Sequence, residues 1–205
     1  MNDEIFQLVN RWAGHFSFLD TIMVVASNSV PYISVAVVLF LWFYRKGEKG
    51  VERPYTALYT ALTALLALSV NVVIHLVYYH PRPFVVHHVH QLLPHSSDSS
   101  FVSDHAVLAF SIAWMLLFRR DRWGYPAFVW AIVVGISRVF VGVHYPADVA
   151  GSMILSGVMG RLVIVLSESK RFELFAQFLF RLDHAVIKYI PFLQAYCHKE
   201  LDKKG

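Results

Sequence analysis

Residues 137–148 read Ser-Arg-Val-Phe-Val-Gly-Val-His-Tyr-Pro-Ala-Asp. An apolar run from about Tyr125 to Val141 leads into this stretch, and another from Pro146 to Leu166 leaves it. Two apolar helices therefore meet at a turn that carries Arg138, His144 and Asp148. Charged and titratable groups at a membrane edge are expensive to keep and mark function more often than structure. Arg138 offers a permanently charged fork of donors to an oxyanion. His144 can attack or take a proton. Pro146 favours the first turn of a helix, which puts Asp148 in that turn, four residues past His144. Its carboxylate can reach back to one imidazole nitrogen and fix the tautomer, or stabilise the helix N-terminus. Both roles are compatible.

The composition sets the compartment. Of 205 residues, 57% are hydrophobic and only 16% charged, where a soluble domain carries about 25% charged residues. The expectation is an all-α, polytopic membrane bundle over residues 1–205, taken as one domain. A spanning helix needs roughly 20 apolar residues. Five segments are candidates: Phe18 to Tyr44, Tyr55 to Tyr79, Ser103 to Phe118, Tyr125 to Val141 and Pro146 to Leu166, the third and fourth being short. Asn28 and Pro31 mark a kink or an end in the first. Ser152, Ser156 and Gly160 in the fifth let a neighbouring helix approach closely.

Two amphipathic segments flank the spans. Residues 3–15 place Ile5, Leu8, Val9 and Trp12 on one face. Residues 170–194 place Phe172, Phe175, Leu179, Leu182, Val186, Tyr189 and Leu193 at helical spacing, with charges between them. Such helices lie in the membrane interface; packing on the bundle is the alternative. The start, Met-Asn-Asp-Glu, has no basic region and argues against a cleaved signal peptide. A single cysteine, Cys197, leaves no internal disulfide.

Loop charge orients the bundle. The 45–56 loop, the 119–124 loop and the tail after the fifth span hold most of the Lys and Arg. In a five-span topology these share one side, the cytoplasmic one. The net charge of +4 is thus a matter of orientation, and no nucleic-acid partner is expected. The 80–102 loop and the 142–146 turn fall on the outer face, so three polar clusters converge there.

The second cluster is Ser103-Asp104-His105. Ser103 suits an N-cap, the helix N-terminus suits a phosphate, and His105 suits a general acid. The third is Pro81-Arg82-Pro83, which holds a cation stiffly at the membrane edge. The loop between them is rich in histidine: His80, His87, His88, His90 and His95, with His75 just before it. A zinc site is the alternative for these, with no diagnostic spacing.

Together these pieces resemble the three motifs of the type 2 phosphatidic acid phosphatase superfamily. The third motif is complete as Ser137-Arg138, His144 and Asp148. The second appears as Val102-Ser103-Asp104-His105, with Asp104 in place of glycine and Val102 in place of proline. The first appears as Arg82-Pro83, with His75 where the lysine should stand. The wider context over residues 1–170 is similar to the bacitracin-resistance type of undecaprenyl-diphosphate phosphatase. The resemblance implies that His144 attacks the terminal phosphorus and forms a phosphohistidine, Asp148 orients it, and His105 protonates the leaving group and later activates water. Arg82, Ser103 and Arg138 would hold phosphoryl oxygens, with His75 and Asp104 as further candidates at the phosphate site. It implies no metal and no cofactor. The partners would be a polyprenyl diphosphate lipid and the bilayer. The other substrates in view are phosphatidic acid and phosphatidylglycerol phosphate; a His-rich metal-binding membrane protein is the reading of another class.

Overall fold

The computed structural model describes residues 2–44 and 52–187, the side chains up to Leu182. Among the described residues the secondary structure is helical: α1 (Asn2–Asn10), α2 (Ser17–Asn28), α3 (Val30–Phe43), α4 (Arg53–Val77), α5 (Pro83–Val86), α6 (Asp104–Phe118), α7 (Gly124–Phe140), α8 (Pro146–Ser167) and α9 (Lys170–Ile187). The small residues of α6 explain its place. Ala106, Ala109 and Ala113 are fully buried, and the helix packs on α3, α4, α7 and α8 at the centre of the bundle.

Helices α4 and α8 are long and apolar enough to cross a membrane. Helices α2 and α3 pass that test together, bent by 50° at Ser29, where Pro31 starts the second piece. Helices α6 and α7 are apolar but shorter, at 15 and 17 residues. The outward faces carry Leu65, Val72, Leu76, Ile154 and Val158, an apolar surface suited to lipid.

The stripe of small residues on α8 meets α6. The Ser152 hydroxyl donates to the Ser103 carbonyl at 3.0 Å and the Ser156 hydroxyl to the Val107 carbonyl at 3.1 Å, and Gly160 lies against Phe118. Gly135 fixes the crossing of α7 on α8, because a Cβ there would stand 2.3 Å from Val149.

Both amphipathic segments leave part of their apolar stripe exposed and bury the rest. In α1 the buried residues are Phe6 and Asn10, while Ile5 and Leu8, and Trp12 just after the helix, are exposed. In α9 the stripe divides: Phe172, Leu179 and the buried Ala176 pack on Tyr59 and its neighbours, with Phe180 beside them, and Phe175 and Leu182 are exposed. Lipid accepts an apolar face as readily as a protein core does, so the apolar pattern alone does not choose the inward side. The reading of Tyr189 and Leu193 falls outside the described residues.

Candidate active site

The turn between α7 and α8 brings the third motif into the interior. Gly142 takes φ +84°, a conformation that glycine adopts without strain. A Cβ there would also press on the His90 carbonyl at 3.1 Å. The turn buries His144 almost completely, at 2% exposure. Asp148 starts α8 with no exposure; its Oδ2 accepts from the Tyr145 backbone N–H at 2.8 Å. That bond closes the first turn of the helix.

The contacts of His144 assign its tautomer. Arg82 Nη1 lies 3.1 Å from Nε2. A guanidinium only donates, so Nε2 is the accepting nitrogen and Nδ1 carries the proton. On the other side, Nδ1 lies 2.9 Å from the Ser100 carbonyl oxygen and 3.5 Å from Asp148 Oδ2. The carboxylate is thus within ion-pair range, but the close acceptor is the backbone of Ser100. The Ser100 hydroxyl in turn donates to Asp148 Oδ2. Burial, above all, holds the His144 imidazole down at about 3; Asp148 pulls it up, and Arg138 and Arg82 push it down. The ring is therefore held neutral, with its Nε2 lone pair accepting from Arg82.

Two buried arginines act on this imidazole, Arg82 by contact and Arg138 through its charge. Arg82 donates from Nε to Asp98 Oδ1 at 2.8 Å and from Nη1 to the Val143 carbonyl at 3.1 Å. Arg138 is 2% exposed, and one bond, 2.6 Å from Nη1 to the Ser27 hydroxyl, engages it. Its Nε and Nη2 are buried with no partner among the described residues. A buried charge in that state is costly unless something completes it. Ser103 occupies the N-cap position of α6, yet its side chain makes no capping bond, and its buried Oγ has no partner among the described residues. The two free guanidinium nitrogens and this hydroxyl are the donor set an oxyanion takes.

His105, half-buried in the first turn of α6, lies within electrostatic range of Arg138, His95 and Arg82. Asp104 is exposed; its Oδ1 accepts from Asn71 Nδ2 at 2.7 Å, and its charge reaches Arg138. His75 is the residue not drawn in. Among the described residues its buried Nε2 has no partner, and no hydrogen bond or ion pair links it to Arg82, Arg138 or His144.

Several participants carry no motif. Asn71, one helical turn before His75, accepts from the Val102 N–H and donates to the Val102 carbonyl, both at 3.0 Å. It thereby fixes the backbone that enters the second motif. Asn10 of α1 bridges His90 and the Phe140 carbonyl and pins the outer loop to the end of α7. Asp98 holds Arg82, and Arg82 keeps the Asp98 carboxyl below its usual range against the opposing pull of burial. His95 stands with its ring 6.2 Å from that of His144. Burial, then the Arg82 and Arg138 charges, hold its imidazole below the ordinary value. A run of Ser, Asp and His in a long loop shows polar character; which member points inward depends on the path of the loop. The histidines disperse along it. Among the described residues no three His, Cys, Asp or Glu side chains gather as a metal ion would need.

A buried imidazole that accepts from one arginine and lies within the electrostatic reach of a second, with a carboxylate behind it, is an arrangement suited to phosphoryl transfer. Residues 55–172 match the model of the PAP2 superfamily, and the chain belongs to that superfamily. It is 37% identical to the undecaprenyl-diphosphatase BcrC of Bacillus subtilis (strain 168), covering 83% of this chain and 86% of that protein. It is 30% identical to the putative undecaprenyl-diphosphatase YbjG of Escherichia coli (strain K12), across 79% of this chain and 80% of that one. The crystal structure of Aquifex aeolicus LpxE has the same fold, with a TM-score of 0.68, 24% identity, and coverage of 80% of this chain and 94% of that one.

Proposed function

We propose that this protein hydrolyses undecaprenyl diphosphate to undecaprenyl phosphate and inorganic phosphate through a phosphohistidine on His144. The observation that carries the reading is the Nε2 nitrogen of a buried, neutral His144 within the electrostatic reach of Arg138, an arginine with two buried nitrogens that have no partner among the described residues. The substrate comes from the relatives that span four fifths of the chain and are named for it.

Nε2 of His144 attacks the terminal phosphorus, and the bond from that phosphorus to the bridging oxygen breaks. His105 gives the bridging oxygen its proton as undecaprenyl phosphate leaves. Water then attacks the phosphohistidine; His105 takes the proton of that water, the P–N bond breaks and phosphate departs. Arg138, Arg82 and the Ser103 hydroxyl hold the equatorial oxygens as charge spreads over them. Arg82 now fills the space before Nε2, so the substrate draws its guanidinium from the nitrogen onto a phosphoryl oxygen. The positive charge left on the His144 ring is shared with the Ser100 carbonyl and Asp148. Asp104 and His75 stand at the margin, Asp104 balancing Arg138 while held by Asn71.

The topology belongs to the same proposal: five spans, with the α2–α3 pair as the first, the site on the outer face and the C-terminus in the cytoplasm. The basic residues of the 119–124 loop and the tail support it. Cysteine labelling in the 84–101 loop of intact cells, in a Cys197→Ser background, tests it; labelling confined to inverted vesicles reverses the orientation.

The deciding experiment is phosphate release by purified protein, with EDTA present, from undecaprenyl diphosphate, phosphatidic acid and phosphatidylglycerol phosphate. Preference for the first and loss of all turnover in His144→Ala are expected. Preference for a glycerophospholipid changes the substrate and leaves the chemistry; turnover in His144→Ala removes the nucleophile; loss with EDTA restored by a divalent metal replaces the mechanism.

A further inference from the structure

Asp148 has two carboxylate oxygens, and the proposed chemistry uses one. Oδ2 accepts from the Tyr145 N–H and the Ser100 hydroxyl and lies 3.5 Å from His144 Nδ1. Oδ1 is buried with no hydrogen-bond partner among the described residues. The group facing it is His80, whose Nδ1 lies 3.9 Å away and is likewise buried and unpartnered. One atom is an acceptor without a donor and the other is a nitrogen that can donate. The gap is too narrow for a water and slightly too wide for a hydrogen bond. A small rotation of the imidazole closes it.

The surroundings of His80 aim this ring. Its backbone N–H donates to the Ser99 hydroxyl at 3.2 Å, and its carbonyl accepts from the Ser100 N–H at 2.7 Å. The Ser99 hydroxyl donates to the Tyr78 carbonyl at 3.1 Å. Residues 78–80 are thus laced to the same Ser99-Ser100 segment that holds His144 and Asp148. The ring stacks on Tyr78, with centroids 6.2 Å apart and 15° between planes, and meets Tyr145 edge-on at 5.2 Å. Two aromatic rings and two backbone bonds leave Nδ1 directed at the carboxylate.

We infer that His80 is a positioning residue for the reaction, donating Nδ1–H to Asp148 Oδ1 so that one carboxylate is held between two imidazoles. The inference rests on the reading of His144 as nucleophile. The donor fixes the rotation of the Asp148 carboxylate about its Cβ–Cγ bond, which keeps Oδ2 toward His144. It also completes a buried anion that otherwise lacks a donor on one side. The contribution grows as the His144 ring becomes positive on phosphorylation, because an ionised and correctly turned Asp148 is then opposite a charge. His80 touches neither substrate nor reacting atoms, so its effect falls on turnover.

The test compares His80→Asn, His80→Gln and His80→Phe in the full-length protein with undecaprenyl diphosphate. Asparagine places its amide nitrogen where Nδ1 stands; glutamine places it one bond further, near Nε2; phenylalanine keeps the ring and has no donor. A lost hydrogen bond to a charged group corresponds to about a tenfold to hundredfold effect. The expected result is kcat lowered about tenfold in His80→Gln and His80→Phe with KM within about twofold, and His80→Asn within about threefold of wild type. Wild-type kcat in His80→Gln overturns the inference, as does equal loss in Asn and Gln variants of equal thermal stability. The Asn–Gln contrast decides the matter even if His80→Phe does not fold. Turnover surviving in His144→Ala would instead sink the underlying mechanism; an inactive His144→Ala beside a fully active His80→Gln sinks this inference alone.

Discussion

Arginines stand at both ends of α6 and α7, in opposite physical states. At the end where α7 stops, Arg138 is buried with two nitrogens unpartnered, and Arg82 is buried against His144. At the other end, Arg119 is partly exposed, pairs with the exposed Glu52 at 3.3 Å and lies over the Tyr59 ring. Arg122 is exposed, over Trp123. The second pair is solvated, stacked and comfortable, as membrane-edge arginines are. The first pair bears a desolvation cost that its neighbours leave partly unmet. Arginine count therefore says where a membrane protein faces the cytoplasm, and arginine burial says where it binds an anion.

Substitution at the two ends tests that contrast most strongly. Arg138→Gln is expected to lower kcat/KM about 10²–10³-fold, the range for removing one donor from a transition-state oxyanion. Arg138→Lys should recover little of it, since an ammonium cannot span two oxygens as the fork does. Steady-state phosphate release measures both, and a loss below about fivefold would break the comparison.

Asn71→Ala comes next. It strips both backbone partners from Val102 and the donor from Asp104. The expected cost is about 1–3 kcal/mol for the buried groups left unsatisfied, read as a lowered thermal midpoint in detergent. An unchanged midpoint would mean that the second motif is held without this tether.

The pH dependence of stability sharpens the electrostatic side. His144 is folded as a neutral ring, with its ordinary value near 6.5 held down to about 3. As pH falls below about 6.5, the unfolded chain takes up a proton that the folded chain refuses. Stability therefore declines, by at most about 1.4 kcal/mol per pH unit for this group. The contribution is complete above pH 6.5. Thermal midpoints between pH 7 and 5 should fall less steeply in His144→Phe than in wild type; parallel slopes would remove His144 from the acid sensitivity.

Arg122→Gln, at the solvated end, should change kcat/KM by less than about twofold and stability by less than about 0.5 kcal/mol. A loss comparable with that of Arg138→Gln would erase the distinction between the two ends.

The helices of this protein were legible because apolar runs and their breakers are local. The run expected from Tyr125 to Val141 is α7, Gly124–Phe140. The kink suggested by Asn28 and Pro31 is the 50° bend at Ser29. The inward face of α1 was not legible: Ile5, Leu8 and Trp12 make the apolar pattern, yet Phe6 and Asn10 are buried. In a bilayer, hydrophobicity separates lipid from water and no longer separates inside from outside.

The sequence by itself determined the helices of the described residues and the order of Arg82, Ser103, His105, Arg138, His144 and Asp148, because composition, periodicity and motif spacing are properties of the chain read in one dimension. Tertiary structure alone decided that Arg138 is left with free donors, that the Ser103 hydroxyl does not cap its helix, and that the close acceptor of His144 is the carbonyl of Ser100. The reason is that desolvation and hydrogen bonding depend on which groups a loop brings within about 3 Å, and residues 80–102 reach the end of α7 only through the fold.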